Sequence, residues 1–256
     1  MRVDSRQLEN QRLSGLSQDN YPFYHERHRI FPAVFENRNH KRVLDISAGI
    51  GVVARQIKEQ YPCDLFCNEV SEVCLNELKK LNVPVTSYDL DTEGRIPFED
   101  NSFDAIICLA TLEHLINIDN FVKELNRILK KEGRLYLSVP NYAGWKSTLT
   151  ILRGRSFHDP LHEPSRYEFY AHVRYFTYKT LLEYMAHFGF IADSTYLALP
   201  QSSSKIKRLR SKLPFIIPLL RALSGFTYLL SARWHEEPVI CFAKSGQPVK
   251  HRKKIV

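Results

Sequence analysis

The stretch that most constrains this chain runs from Arg42 to Ile57. Val43, Leu44 and Ile46 form a short apolar run of the kind that makes a strand buried on both faces. Ser47-Ala-Gly-Ile-Gly51 follows as a turn of small residues, and beyond it Val53, Ile57 and their apolar neighbours fall at helical spacing. A strand, a glycine turn and a helix put bare backbone beside the positive end of a helix, where a ligand can approach the main chain closely. If Ser47 takes a positive φ, it is strained by about 1 kcal/mol or more.

Two ligand classes suit this unit. Gly49-Ile-Gly51-Val-Val-Ala54 satisfies Gly-x-Gly-x-x-Ala, the dinucleotide fingerprint, so a nicotinamide or flavin site stays open here beside a site for another ribose-bearing ligand and a purely structural turn. Asp64 to Val70 reads as a second buried strand ending in an acid, Glu69, twenty-four residues beyond Asp45. A carboxylate there can accept hydrogen bonds from both hydroxyls of a ribose, at about 1.5–3 kcal/mol for each charge-assisted bond. Both ligand classes carry a ribose, so Glu69 does not separate them. Ser71 is the expected N-cap of a helix through Leu81, with Leu75 and Leu78 inward. Pro84 to Asp91 reads as a third strand and its exit loop.

Ile96-Pro-Phe-Glu-Asp-Asn-Ser-Phe-Asp104 reads as a turn. Phe103 and the run Ala105 to Leu109 form a central strand, and the loop Ala110 to His114 faces the same sheet edge as the glycine turn. Asp119 is the expected cap of a helix carrying Phe121, Val122, Leu125, Ile128 and Leu129 on one face, with Gly133 ending it and Arg134 to Val139 as the fifth strand. A helix over Tyr178–His187, a strand over Phe190–Leu197 and an antiparallel final strand over Glu237–Lys244 complete the reading.

Together these residues resemble the class I S-adenosylmethionine-dependent methyltransferases of the type 11/23 kind. Asp45 matches the acid that ends their first strand, and Gly49 and Gly51 match the second and third glycines of the turn. Ser47 stands where the first glycine is usual, which is a departure. The block Ile96 to Leu115 and the run Leu129 to Asn141 match the family nearly continuously, and the likeness resumes at His172-Val-Arg-Tyr-Phe-Thr177. Nicotinamide domains have no reason to carry the first of these blocks. The resemblance implies an α/β fold, a Rossmann-like, doubly wound, seven-stranded and mostly parallel sheet with an antiparallel final hairpin. It implies S-adenosylmethionine as cofactor, held by Asp45, Ser47, Gly49, Gly51, Glu69 on the ribose, Asp89 and Leu90 on the adenine (with Asp91 as the alternative polar partner) and Ala110. It also implies an N-terminal helix closing over the donor, with Tyr24 or Arg27 touching it.

The corresponding organisation is an N-terminal arm and helix over 1–40 and a methyltransferase domain over 41–256, with insertions at 142–175 and 201–235. Residues 1–20 read as a poorly ordered arm and Tyr21 to Phe35 as an aromatic-rich helix packing on the sheet. The first insertion carries His158, Asp159, His162 and Glu163, then Tyr167, Tyr170 and His172, a gathering of rings and imidazoles suited to a polar acceptor. An alcohol acceptor must shed a proton, and histidine titrates near neutrality, so His158, His162 and His172 are the candidate catalytic bases. An amine acceptor needs none. Pro160 works against one helix presenting both His158 and His162 to a metal, so no metal site is expected there, and His114 reads as a loop or packing residue.

Composition narrows the partners. The net charge of +8 permits nucleic acid, anionic lipid or an acidic substrate. The sequence shows no nucleic-acid recognition module, and no Asn-Pro-Pro-Tyr-type motif follows the fourth strand. The expected acceptor is a small molecule, a glycan or a lipid-linked compound, with oxygen preferred as the alkylated atom and nitrogen and carbon left open. Five cysteines without a Cys-x-x-Cys pair favour neither zinc nor disulfides and suit a reducing cytoplasm, and Met1 to Asn20 lacks the apolar core of a secretory signal. Lys205 to Lys212 is basic, and Leu213 to Leu230 is apolar but interrupted by Pro214, Pro218, Arg221 and Gly225, so a membrane span is not expected. The 205–230 segment reads as a surface helix on the inner face of a membrane, a cap over the substrate pocket, or a homodimer contact. Two other functions stay open: a noncatalytic S-adenosylmethionine-binding protein, and a nicotinamide-dependent oxidoreductase.

Overall fold

The computed structural model describes residues 5–201 and 204–256. In chain order the elements are α1 (Ser5–Leu13), α2 (Glu26–Arg29), β1 (Arg42–Ile46), α3 (Val52–Gln60), β2 (Asp64–Asn68), α4 (Glu72–Lys79), β3 (Val85–Thr86), β4 (Phe103–Leu109), α5 (Ile118–Ile128) and β5 (Leu129–Ser138). There follow α6 (Trp145–Leu152), α7 (Glu163–Ala171), α8 (Tyr178–His187), β6 (Phe190–Leu197), α9 (Ser204–Lys212), α10 (Ile216–Leu230), β7 (Val239–Lys244) and β8 (Arg252–Ile255). The strands form one sheet in the order β3-β2-β1-β4-β5-β7-β6-β8. The first five are parallel, and β7 runs antiparallel to both β5 and β6, as the apolar runs and the family likeness imply.

The alternation of each central strand divides the core in two. Leu44, Ile46, Ile106, Cys108, Leu135 and Leu137 face Phe121 and Leu125 of α5 and Leu181 and Met185 of α8. Val43, Ala105, Ile107 and Tyr136 face Val53 and Ile57 of α3, Leu78 of α4 and the Phe31–Phe35 segment. Covered on both sides, these strands need the near-continuous apolar runs seen in their sequences.

Several expectations change. Within the expected arm, Ser5–Leu13 forms the helix α1, with Leu13 buried and the Ser71 hydroxyl bonded to Asn10 Oδ1 at 2.6 Å. Ser71 is indeed the residue before α4, yet this bond replaces a capping one. The Tyr21–Phe35 segment is not one helix: Pro22 and Pro32 interrupt it, leaving the single turn α2 and a short 3-10 turn over Ala33–Phe35. Asn117, not Asp119, precedes α5, and the helix stops at Ile128. The main chain re-enters the sheet at Leu129, which pairs with Phe103, so Gly133 lies within β5. Part of the basic tail forms an eighth strand, β8, parallel to β6. Pro218 falls in the first turn of α10, where no intrahelical N–H bond is lost, so the expected interruption does not occur.

Gly51 opens α3 at φ 83°, and a Cβ there would lie 2.8 Å from Leu78 Cδ2 and 2.9 Å from Gln18 Nε2. Gly51→Ala is expected to destabilise the fold by about 1–3 kcal/mol through strain and overpacking, lowering the thermal midpoint by about 2–4 °C per kcal/mol. Calorimetry checks this; an unchanged midpoint would show that α3 and α4 can separate freely.

Candidate active site

A cavity of about 660 Å³ opens beyond the carboxyl ends of β1, β2 and β4, where the strand order reverses direction. Asp45, Ser47, Gly49, Glu69, Asp89, Leu90 and Ala110 all line it. Gly51 does not; its part is the close packing of α3 against α4. Ser47 has φ 54°, the strained conformation that the missing glycine would have taken without cost, and Ala110 on the facing loop has φ 52°. Two left-handed non-glycine residues therefore flank the same crevice.

Glu69 organises its floor. Its Oε2 accepts from Gly49 N at 2.9 Å, and its Oε1 accepts from Val70 N at 2.8 Å and Ser71 N at 3.1 Å. Burial raises its pKa above the usual carboxylate value, partly offset by these three amide donors. Asp45 Oδ2 is buried and has no hydrogen-bond partner among the described residues. Burial first, then the neighbouring Glu69, pushes the Asp45 carboxyl up to about 8. Asp89 Oδ1 accepts from Asp91 N at 2.9 Å, while the Asp91 carboxylate receives Ile116 N at 2.8 Å and Asn117 N at 2.7 Å. Asp91 thereby ties the loop after β3 to the loop after β4.

The first insertion supplies the other half of the cavity, through α6, α7 and the loop between them. Tyr142 Oη lies 2.8 Å from His158 Nε2 and 2.7 Å from His172 Nδ1, so the structure brings these two candidate bases together. His162 is exposed at the start of α7 and does not line the cavity, and the side chain of Glu163 lies outside the described residues. Burial lowers the pKa of His158; burial with the neighbouring His114 and His158 lowers His172 to about 3. His114 is more than a packing residue: its ring centroid lies 4.7 Å from that of His172, and Nδ1 is 3.1 Å from the Ala171 carbonyl.

Sequence reasoning passed over three cavity residues. Glu113 is 1% exposed, neither carboxylate oxygen has a partner among the described residues, and burial pushes its pKa up to about 8. Tyr142 was hidden in a segment without pattern. Arg12 of α1 reaches over the cavity, its guanidinium 4.4 Å from the Tyr167 ring and 4.8 Å from the Phe23 ring, bonded to Glu9. The helix beside the cavity is α1, within the stretch expected to be a poorly ordered arm, and not the Tyr21–Phe35 segment. Arg27 lines the wall, paired with Glu237, whereas Tyr24 does not. Only the adjacent acid and imidazole at Glu113-His114, directly after a central strand, offered a sequence signal.

The family described as "Methyltransferase domain" matches residues 16–194. The chain belongs to the class I S-adenosylmethionine-dependent methyltransferases. The nicotinamide reading of Gly49 to Ala54 falls with that assignment. The chain is 34% identical over 112 residues to the uncharacterised methyltransferase YcgJ of Bacillus subtilis, covering 42% of this chain and 44% of YcgJ. It is 28% identical over 111 residues to the demethylmenaquinone methyltransferase of Thermotoga maritima, covering 43% of this chain and 48% of that protein. It thus spans about half the length of the curated relatives it matches. The structure of YcgJ has a TM-score of 0.55 at 22% identity, covering 88% of this chain and 100% of YcgJ. Phosphoethanolamine N-methyltransferase 2 of Haemonchus contortus, in complex with S-adenosylmethionine, has a TM-score of 0.61 at 17% identity, covering 95% of this chain and 60% of its own. These structural likenesses show the fold.

The family's cofactor is S-adenosylmethionine, and the crevice suits it. That molecule carries an ammonium and a sulfonium, and the floor holds two buried acids, one with an orphaned oxygen. A cationic ligand supplies the charge that Asp45 and Glu69 lack.

Because the folded pKa of Asp45 lies above its unfolded value of about 3.9, folding favours the protonated carboxyl. That stability is complete below the unfolded value and is lost as pH rises through about 8. Asp45→Asn is therefore expected to raise the ligand-free melting midpoint at pH 8, with the advantage vanishing near pH 4. A denaturation series in pH checks it, and a variant less stable at both values would refute the account.

Proposed function

We propose that this chain transfers the methyl group of S-adenosylmethionine to a hydroxyl of a small polar molecule. The observation that carries this reading is the continuity of the cavity, which joins the crevice around Glu69 to the Tyr142–His158–His172 chain. Its volume of about 660 Å³ falls within the range of cofactor and small-molecule sites, about 300–1,000 Å³. The acceptor named in the Thermotoga maritima relative, a lipid-soluble quinone, supports a low-molecular-weight substrate without choosing a polar one.

On this reading Glu69 accepts from the ribose hydroxyls, Asp89 and Leu90 meet the adenine, and the Ser47–Gly49 backbone and Asp45 meet the amino-acid end. Ala110 lies on the facing wall. The donor's sulfonium makes its methyl group electrophilic, so the protein chiefly aligns the two reactants. An acceptor hydroxyl against Tyr142 passes its proton to Tyr142 Oη as the tyrosine hydroxyl proton moves to His158 Nε2. The lowered pKa of His158 keeps that imidazole neutral and able to accept, and His172 Nδ1–H donates to the tyrosine oxygen throughout. His162, outside the cavity, takes no part.

A lipid-linked acceptor is a second reading, favoured by one feature. Phe215, Leu219, Leu223, Phe226 and Leu230 form an exposed apolar stripe along α10, and α9 before it exposes Lys207, Arg208, Arg210 and Lys212. The chain then runs from α10 to Glu236 and Glu237 on the cavity wall. No helix among the described residues is long and apolar enough to cross a membrane. A stripe with basic neighbours suits adsorption to an anionic surface, which would place such an enzyme on the inner face of a membrane.

Two variants separate binding from turnover. Glu69→Ala is expected to weaken S-adenosylhomocysteine binding by about tenfold or more in calorimetry. Tyr142→Phe is expected to keep that affinity and slow transfer of label from methyl-labelled donor into a small-molecule extract by about 10²–10⁴-fold. Donor binding without any labelled product would instead indicate a noncatalytic binding protein. For the lipid-linked reading, flotation with phosphatidylserine vesicles should carry the protein, and Leu219→Glu with Phe226→Glu should release it. Protein left at the bottom of the gradient would remove the membrane-surface role of α9 and α10, on which that reading rests.

A further inference from the structure

Glu113, His114 and His172 present one carboxylate oxygen and two imidazole nitrogens within 4.8 Å of one another. They come from segments far apart in sequence, the loop after β4 and the residue ending α7. Two backbone bonds clamp these segments, from Val173 N at 2.8 Å and Arg174 N at 3.1 Å to the Glu113 carbonyl. All three side chains face the cavity.

One protonation pattern leaves a lone pair on each of these three side chains. The Ala171 carbonyl can only accept, so His114 Nδ1 carries the proton and Nε2 is left as an acceptor. Tyr142 has one proton to give, so one of its two histidine partners must donate to it; in the arrangement of the proposed proton path Tyr142 gives its proton to His158 Nε2, His172 Nδ1 donates, and His172 Nε2 is again an acceptor. Glu113 adds two more acceptor atoms, buried and without partners among the described residues. A buried group of acceptors with no donor is costly unless a cation or protons complete it.

We propose that Glu113, His114 and His172 bind a divalent first-row transition-metal ion in the acceptor half of the cavity. One carboxylate and two imidazoles suit ions such as Zn²⁺, Co²⁺ or Fe²⁺ better than Mg²⁺ or Ca²⁺, which favour all-oxygen sites. Three protein ligands leave further coordination positions toward the cavity. The Ala171 carbonyl and Tyr142 hydroxyl orient the two imidazoles, as outer partners do at metal sites. The ion's use rests on the proposed transfer: it would hold the acceptor oxygen and ease loss of its proton toward Tyr142. Its binding does not depend on that reaction.

The full chain, stripped with chelator, is titrated with Co²⁺ alone, without donor or acceptor, by calorimetry and visible absorption. One ion per chain is expected, with ligand-field bands that shift when an imidazole is removed. Affinity should fall at least about tenfold in Glu113→Gln and in His172→Ala and stay unchanged in His162→Ala. S-adenosylhomocysteine affinity should be kept in all three, reporting an intact fold; if Glu113→Gln does not fold, His114→Ala takes its place. Less than one ion per chain, or equal affinity in the cavity variants and the parent, would overturn the proposal. Cobalt binding without donor binding would leave this site standing and remove the proposed methyl transfer.

Discussion

The Glu69 carboxylate is the contact on which the rest of the cavity depends. It ends β2, grips the amides of its own exit turn, and reaches across to Gly49 in the turn after β1. Two parallel strands thus end in a common polar knot, which fixes the main chain of the glycine turn where it lines the crevice. Three charge-assisted bonds of this type, each worth about 1.5–3 kcal/mol, allow a buried acid to persist beside Asp45. The strain at Ser47 is held by the same knot, since the turn cannot relax while Gly49 is fastened.

The acidic character of the interior follows from burial. Asp45, Glu69 and Glu113 all have raised pKa values with desolvation as the main cause, and none of them has a salt bridge among the described residues. A hydrophobic replacement at these positions would pack more comfortably. Their presence in the wall of one cavity gives up stability in favour of attraction for cationic groups, in a chain whose surface is basic overall.

How much could be read from the sequence follows from how local each signal is. The strands β1, β2 and β4 are largely apolar runs bounded by turn residues, and their positions match, as does that of the more polar β6. Asp45, Ser47, Gly49 and Glu69 lie at strand ends within a few residues of each other or one helix apart, so spacing alone brings them near. Helix ends are harder: Gly133 is a good local signal that is overridden where Leu129 pairs with Phe103 in the sheet, and α5 begins one residue before Asp119. Glu113, Arg12 and Tyr142 depend on contacts between segments tens of residues apart. Nothing in the immediate neighbourhood of Arg12 reveals that α1 will lie beside α7. His162 shows the opposite error, an imidazole singled out by composition and then turned to solvent by the start of α7.

Arg12 rests on the Tyr167 and Phe23 rings through flat, weakly directional contacts worth about 0.5–2 kcal/mol each. Such a seam slips where a ladder of backbone bonds would have to break. The contact between the first helix and the insertion is thus one that could part without breaking any strand pairing.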